Sequence, residues 1–596
     1  MKPFQWFYSF VKKYQWRLLG GLMLTTIVAA LALLTPYLSG AIVTQVIKEG
    51  HYERLGWMVA LLIGATILRG LLRASFLMVY ESTSQNVLYD MRDYVYRRLL
   101  QQDFAFYNKN RTGDLMSRQT GDMDAIRHFL AHTMYVTYEN VLLFILALVM
   151  IFTVNVKLAC CMILVLPISA LAAAIQFKVV RPVFQRARER FSSLNSFAQE
   201  NISGNRVVKA FAKEDYEKEK FDKENEGYME AELAGARLSS IFIPIFEFVS
   251  NLLLVVLMLI GGIMVINGEM DIGKMVTVNG YLYMLSNPLR LAGWLVNDVR
   301  RLTASLDKIY ATIVQEPEIR RPKHAVVKKH LEGCVEFRDV SYQAEDEDII
   351  HHVSFTAEKG QTIGIIGATG AGKSTIVNLI CRFYDVTSGQ VLVDGIDVRD
   401  LDLYQLRDNI GMAMQDIFLF SDTIEGNIAY GNTQCSFEDV VRVAKIANAD
   451  EFIRNETPDG YDTIVGERGM GLSGGQKQRI SLARALLKNP SIIILDDTTS
   501  AVDLETESQI QNELEQVQKD TTVFIISHRI SSIQHADKIL VLEEGRIIEE
   551  GSHKQLMEKN GYYAMVCRHQ YGDFNPKKKK KTAKSAGRGG KTDGKK

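Results

Sequence analysis

A chain of 596 residues that is 47% hydrophobic, 9% aromatic and 23% charged is too apolar for a disordered or collagen-like protein and too charged for a uniformly apolar channel. Formal charge is zero, 69 basic against 69 acidic residues, yet the last twenty hold ten Lys or Arg and one Asp, which leaves 59 against 68, about −9, elsewhere. That sign argues against specific nucleic-acid binding, and six Cys without C-x-x-C pairs or zinc spacing indicate neither a disulfide framework nor a structural metal.

Six long apolar runs fill the first half: residues 18–46, 55–80, 133–154, 158–177, 241–268 and 272–296. Each approaches or exceeds the roughly 20 residues a helix needs to cross about 30 Å of hydrocarbon, so six membrane spans are expected. Pro36, Pro167, Pro244 and Pro288 fall inside runs, which bundled membrane helices tolerate. Lys2, Lys12, Lys13 and Arg17 precede the first run, and the long connections after the second and fourth carry Arg92, Arg97, Arg98, Arg181, Arg186, Arg188 and Arg190. Positive-inside logic puts these loops and both termini in the cytoplasm. No small-residue cleavage site follows the first run, which therefore reads as a retained span. Phe4, Trp6, Phe7, Phe10 and Trp16 before it suit either a helix lying at the interface or a plain aromatic belt.

The two long connections, about 81–132 and 176–240, are polar but helix-favouring. At about 1.5 Å per residue, helices continuing from the spans would form rods tens of ångströms long. Residues 300–329 read as a charged linker with Pro317 and Pro322, and from Gly333 short β-branched strands alternate with helices, the pattern of an α/β domain. The expected fold is an α-helical polytopic membrane domain with long cytoplasmic helical extensions, followed by an α/β P-loop NTPase cassette. The expected divisions are a membrane domain over 1–310, a linker over 311–332, the cassette over 333–575 and a basic tail over 576–596.

Gly367-Ala-Thr-Gly-Ala-Gly-Lys-Ser-Thr375 follows an apolar strand and opens a helical run. Gly367, Gly370, Ala371 and Gly372 let backbone N–H groups wrap a phosphate at a helix N-terminus, Lys373 reaches the β and γ phosphates, and Ser374, followed by Thr375, ligates Mg²⁺. A second strand, Ser491-Ile-Ile-Ile-Leu-Asp-Asp497, delivers two acids at its carboxyl end. Asp496 suits Mg²⁺ and Asp497 stands where a base or water-orienting group belongs; the structural alternative is a helix N-cap.

Gly471-Leu-Ser-Gly-Gly-Gln-Lys-Gln-Arg479 resembles the signature motif of ATP-binding-cassette (ABC) proteins. Six spans followed by one cassette resemble an ABC exporter half-transporter over nearly the entire chain. By the same resemblance, Gln415 in Met414-Gln-Asp-Ile-Phe-Leu-Phe420 is the Q-loop glutamine, with a share in the metal site. Asp503 in Ser500-Ala-Val-Asp503 belongs to the D-loop, and His528 in Ile526-Ser-His-Arg529 is the switch histidine. Residues 463–469 resemble the segment that meets the opposite membrane domain, and Phe106-Tyr107, Gly113-Asp114 and 200–211 resemble coupling segments. The resemblance implies ATP and Mg²⁺ as ligands and a second half-transporter as partner, whose bound nucleotide is closed over by Ser473, Gly474, Gly475 and Gln476. Location in the plasma membrane, the inner one in a bacterium, is implied too.

The chain departs from the family at Asp497, where Glu is usual, followed by Thr498. One methylene fewer sets the carboxylate roughly 1.5 Å back, enough to cost about a hundredfold in rate. An intact signature beside a weakened acid resembles the degenerate-site subunit of heterodimeric multidrug exporters; a homodimer that tolerates Asp is the alternative. Family position favours Tyr342 for stacking on adenine, whereas strand phase favours position 344, an Ala.

Cargo-path candidates are the polar residues inside spans: Arg69 and Arg73, Glu247 and Asn251, and Asn287. Snorkelling arginines and a structurally paired Glu247 are the alternatives. Tyr281 and Tyr283 suit either stacking of a hydrophobic cation or packing. The expected cargo is an amphiphile, drug-like or lipid-like, with a peptide second. The basic tail is a solvated extension, a lipid-headgroup contact or a nonspecific contact to nucleic acid. A soluble P-loop ATPase is excluded by the spans, an importer is disfavoured by the fusion of the two domains, and an ATP-gated channel or regulator is the rival reading.

Overall fold

The structure, a computed structural model, describes residues 2–322, 324–344, 347–498, 502, 504–517 and 520–571. The D-loop residues Ser500 and Asp503, and the basic tail, lie outside the described residues. The chain divides into two compact units: one comprises residues up to Gln102 and Asn110–Glu316, the other Asp103–Lys109 and everything from Pro317 on.

The first unit is all helical. Its elements are α1 (Pro3–Lys12), α2 (Gln15–Ala41) and α3 (Leu55–Leu100); then, past α4 (Phe104–Lys109), which belongs to the other unit, α5 (Thr112–Ser117), α6 (Met123–His128), α7 (Met134–Val154) and α8 (Val156–Ile163); and finally α9 (Leu166–Ser203), α10 (Asn205–Ala210), α11 (Glu214–Val256), α12 (Gly262–Ile266) and α13 (Ile272–Val314). Among the described residues, three helical stretches are long and apolar enough to cross a membrane: Gln15–Lys48, Tyr52–Leu100 and Thr112–Val154. The other apolar runs fall on α8 to α9, on α11 to α12, and on α13. The expectation of rods is met by α3, α9, α11 and α13, of 46, 38, 43 and 43 residues, about 57–69 Å each. The polar lengths of α9 and α11 pair through Phe191 and Tyr228, whose rings lie 5.2 Å apart, and through Ser193, which donates to Glu224.

Two local readings change. The run 158–177 is not one helix: α8 ends at Ile163 and Pro167 sits in the first turn of α9, where its missing N–H costs no helical hydrogen bond. The charged stretch from Arg300 is helical as far as Val314, because Leu302, Leu306, Ile309 and Ile313 form a buried stripe at helical spacing against Trp6, Phe7, Val87, Met91 and Val95. The same contacts decide the N-terminal aromatics. Trp6 and Phe7 are buried in the bundle, while Phe4 and Tyr8 face out.

Helices α2 and α13 cross at close range over small residues. A Cβ at Gly40 would strike the Gly273 carbonyl and the Thr277 hydroxyl, one at Gly273 would strike the Gly40 carbonyl, and one at Gly280 would lie 2.6 Å from Pro36 Cβ. Gly40→Leu is therefore expected to destabilise the unit by about 1–3 kcal/mol through overpacking, read as a lowered thermal midpoint of the full chain in detergent.

The second unit holds two sheets. An antiparallel sheet of order β2-β1-β4-β5 comprises β1 (Val335–Ala344), β2 (Glu347–Ala357), β4 (Ser388–Val393) and β5 (Ile396–Asp397). The larger sheet, of order β10-β9-β3-β8-β7-β6, comprises β3 (Thr362–Gly367), β6 (Ile410–Ala413), β7 (Ile492–Asp496), β8 (Thr522–Ile526), β9 (Lys538–Glu543) and β10 (Arg546–Gly551). All its pairings are parallel except β9 with β10. Every residue of β7 is buried, which is why Ile492 to Leu495 is an unbroken apolar run rather than an alternating one.

Candidate nucleotide site

Because β3, β8, β7 and β6 are consecutive parallel neighbours, their carboxyl ends share one edge, where open α/β sheets bind ligands. That edge carries the phosphate loop after β3, His528 after β8, Asp496 and Asp497 at the end of β7, and Gln415 after β6. Four motifs separated by up to 161 residues along the chain, from Gly367 to His528, are thereby brought together.

The loop from Gly367 runs into the helix Lys373–Ile380. Gly370 and Gly372 have φ of +83° and +91°, a region that side chains other than hydrogen seldom allow; at Gly372 a Cβ would also sit 2.6 Å from Ile350 Cδ1. Lys373 is only 8% exposed, and its Nζ donates to the carbonyls of Gly367 at 3.0 Å and Ala368 at 2.8 Å. Burial pulls its pKa below the ordinary lysine value, against the opposing pull of Asp496 and Asp497. Ala371 is buried, and Ser374 and Thr375 are half-buried in the first helical turn.

Asp496 is 5% exposed, with the Ser374 hydroxyl close enough to act on it electrostatically. Burial pushes its carboxyl above the usual range, and Asp497 adds to this, while Ser374, Lys373 and His528 pull it back. Among the described residues no three His, Cys, Asp or Glu side chains converge as a metal cage. A hydroxyl and a carboxylate oxygen side by side still fit Mg²⁺, which keeps waters and takes the rest of its shell from nucleotide phosphates.

Asp497 is held in the left-handed region, φ +48°. Its N–H donates to Ile526 O at 2.9 Å, and its carbonyl accepts from Gln478 Nε2 at 3.3 Å. The backbone of this acid is thus tied both to β8 and to the helix Gly474–Leu487 that follows the signature residues. The imidazole-bearing His528 is exposed, and its carbonyl accepts from Gln570 Nε2 at 2.6 Å. Gln415 is exposed.

Ser473 caps the signature helix. Its Oγ accepts from Gln476 N at 3.2 Å while Gln476 Oε1 accepts from Ser473 N at 2.8 Å, a reciprocal capping box. Gln476 Nε2 also donates to Glu456 at 2.9 Å. Gly474 and Gly475 occupy the first turn, whose amides precede the first intrahelical bond and so face outward as donors.

Tyr342 is half-buried on the core of the antiparallel sheet, its ring 5.5 Å from that of Tyr384. Burial, with Tyr384 beside it, pushes its hydroxyl up to about 12. An aromatic patch that the sequence did not single out adjoins it. Phe104 of α4 lies 4.5 Å from Phe383 and 6.4 Å from Tyr384, and Asn108 donates to the Tyr384 hydroxyl at 3.2 Å. The aromatic spacing of Phe104, Phe106 and Tyr107 was the available signal, but the residue that docks is the first of the three.

The cargo-path candidates are distributed over three helices. Arg69 and Arg73 lie on α3, Glu247 and Asn251 on α11, and Asn287 on α13. Among the described residues the first four make no hydrogen bond or ion pair, whereas Asn287 donates to Asn140 at 2.9 Å and accepts from Arg290 at 2.9 Å. Tyr281 is fully buried and donates to Leu33 O at 3.0 Å, a packing role, while Tyr283 is exposed.

Family comparison agrees with this geometry. The ABC transporter transmembrane region matches residues 18–289 and the ABC transporter domain residues 350–500. The uncharacterized ABC transporter ATP-binding protein YknU of Bacillus subtilis is 39% identical over 577 residues, 96% of this chain and 97% of that one. The chain belongs to the ABC transporters. This transporter is also 37% identical, over 81% of its length and 83% of the relative's, to YgaD of Bacillus subtilis, provisionally named a multidrug export ATP-binding/permease protein. It is 34% identical, over 88% of each chain, to the ATP-dependent lipid A-core flippase of Syntrophus aciditrophicus. A solved structure of a bacterial Atm1-family ABC exporter with ATP bound superposes with a TM-score of 0.79 at 28% identity, covering 94% of this chain and 99% of that one. The chain is an ABC exporter half-transporter, a helical transmembrane domain followed by an ATP-binding cassette, and its ATPase drives export.

Proposed function

We propose that this half-transporter exports amphiphilic small molecules, drug-like or lipid-like, as one half of a heterodimer in which its own ATP site is the slow one. The multidrug and flippase names of its relatives support the cargo class. The observation that carries the asymmetry is Asp497, a short acid on a backbone pinned at both its N–H and its carbonyl, next to a signature helix with its capping box intact. On this reading both termini and the cassette are cytoplasmic, six spans cross the bacterial inner membrane, and the tail is a solvated extension.

In hydrolysis, water attacks the γ-phosphorus in line as the bond to the β,γ-bridging oxygen breaks, and ADP leaves with its electron pair. Lys373 and the loop amides hold the β and γ phosphates. Ser374, Asp496 and Gln415 would hold Mg²⁺, which would offset phosphate charge when bound. Asp497 orients the water, and His528 is the hydrogen-bonding partner for the γ phosphate. Ser473 and the amides of Gly474 and Gly475 close on the partner's nucleotide, so two cassettes are required. Cassette closure then turns the membrane helices outward, with work limited by the difference in ligand affinity between the two states.

The chain purified alone is expected to show little ATPase, and co-expression with a second half-transporter that carries Glu at this position is expected to restore it. Vigorous turnover by the lone chain, abolished by Asp497→Ala, would establish the homodimer instead. ATP-dependent accumulation of an amphiphilic dye in inverted vesicles against its gradient separates an exporter from a channel.

Phe104 offers a coupling test. Losing an aromatic pair of this geometry removes about 0.5–1.5 kcal/mol, so Phe104→Ala is expected to cut dye moved per ATP hydrolysed by roughly two- to tenfold, with nucleotide affinity of the cassette unchanged.

A further inference from the structure

The loop that carries His528 is gripped by the helix Tyr562–Tyr571, which none of the nucleotide motifs includes. His528 stands between β8 and the short helix Ile530–Ile533. Arg529, which separates it from that helix, is extended at φ −97° and ψ 127°, so the His528 carbonyl and the Ile530 N–H face the same side. One side chain meets both. Gln570 Nε2 donates to His528 O at 2.6 Å, and Gln570 Oε1 accepts from Ile530 N at 2.9 Å. The partners themselves set the direction of the amide, because only its nitrogen can donate to a carbonyl and only its oxygen can accept from an N–H.

Cohesion of the two helices does not depend on this amide. Ile530 and Ile533 are fully buried with Tyr563 and Cys567 in one apolar cluster, and the Tyr563 hydroxyl lies 2.8 Å from His553 Nδ1. Gln570 is exposed, where water could satisfy the same backbone groups at little cost in stability. Other ties hold the loop through its neighbours: Arg529 N donates to Ser527 Oγ at 3.0 Å, Arg529 Nη1 donates to Val502 O at 3.2 Å and to Glu507 at 3.4 Å, and Ser532 Oγ donates to Glu507, which is 2% exposed. Of these contacts, the one on the peptide group of His528 itself is that of Gln570. What the amide adds is therefore position, at the residue whose imidazole serves the nucleotide.

We propose that Gln570 is a positioning residue for His528: by bracketing Arg529 it fixes the peptide that carries the imidazole and holds that ring in line with the γ phosphate. It acts through His528 and not on the nucleotide. Such a tie matters because a misplacement of about 1 Å at a reacting group can cost about a hundredfold in rate. The inference rests on the role given to His528 under the proposed function, and the test separates the two.

Hydrolysis is read in the complete transporter as the rate at which vanadate traps ADP at this chain's own loop, both with Asp497 and in the Asp497→Glu background. Gln570→Met keeps the length of the side chain and removes both hydrogen bonds. It is expected to slow trapping by roughly ten- to hundredfold, with binding of a fluorescent ATP analogue unchanged. Gln570→Glu keeps an acceptor for the Ile530 N–H but sets a carboxylate oxygen against the His528 carbonyl, and it should be at least as slow. A double-mutant cycle gives the reading that a merely structural role would not: in His528→Ala, adding Gln570→Met should change the rate by less than about twofold. Losses that simply add, or single-variant rates within about twofold of the parent, would overturn the proposal. Solid-state NMR of the histidine-labelled transporter, loaded with a non-hydrolysable ATP analogue, supplies a measure independent of rate. The imidazole signal that His528→Ala removes should shift or broaden in both Gln570 variants, and an unchanged signal would be equally fatal. This signal decides the matter where His528→Ala alone brings trapping to background, and Gln570→Glu takes the place of Gln570→Met if the latter does not fold. Normal trapping in His528→Ala would instead remove the role given to His528, and the signal would then decide whether Gln570 fixes its peptide.

Discussion

Replacing Lys373 with Ala is expected to lower ATP hydrolysis at this chain's own loop by roughly 10²–10³-fold, the cost of removing one preorganised donor from a site of developing charge. The ammonium is held between the Gly367 and Ala368 carbonyls at 3.0 and 2.8 Å and is almost fully buried, so the loop itself fixes its position. Lys373→Arg should fail nearly as badly, since a planar guanidinium does not fit a cradle built around a compact ammonium. Vanadate trapping of ADP at this chain's own loop, with binding of a fluorescent ATP analogue as a second reading, checks both. Trapping at this loop and analogue binding within a few-fold of wild type in Lys373→Ala would mean that Lys373 does not hold its phosphates.

The second large effect runs in the opposite direction. Asp497→Glu is expected to raise hydrolysis at this chain's own loop by up to about a hundredfold, the gain from moving a water-orienting group by a bond length or so. The backbone does not compensate for the short side chain, because N–H and carbonyl are both tied, to Ile526 and to Gln478. Glu can occupy the left-handed φ of +48° as a non-β-branched residue. Vanadate trapping of ADP, counted separately at the two loops of the dimer, reads the change directly. An unchanged count would show that Asp497 already aims its water well and that the asymmetric reading is wrong.

Both effects were legible in the sequence because they depend on local chemistry. The glycines, Lys373 and Ser374 are contiguous, and their strand–loop–helix context is contiguous with them. Asp497 was legible for the same reason, one position after a buried strand. Reading failed where the deciding contact was distant. The charge of the stretch from Arg300 masked the stripe Leu302, Leu306, Ile309 and Ile313, whose partners are about 210 to 300 residues upstream. The docking of Phe104 on Phe383 joins parts of the chain 279 residues apart.

Composition, apolar run length and motif order by themselves determined that this protein has a membrane half and a nucleotide half, and which contiguous residues form the candidate phosphate loop. Those features are set by transfer free energy and backbone conformation within a few turns of chain, so no distant partner is needed to read them. Tertiary structure alone decided the strand order that lines up the loop, Asp496, His528 and Gln415, the ties that fix the Asp497 backbone, and the docking of Phe104 on Phe383. Each of these depends on which surfaces exclude water together, a property of packed neighbours that sequence separation does not encode.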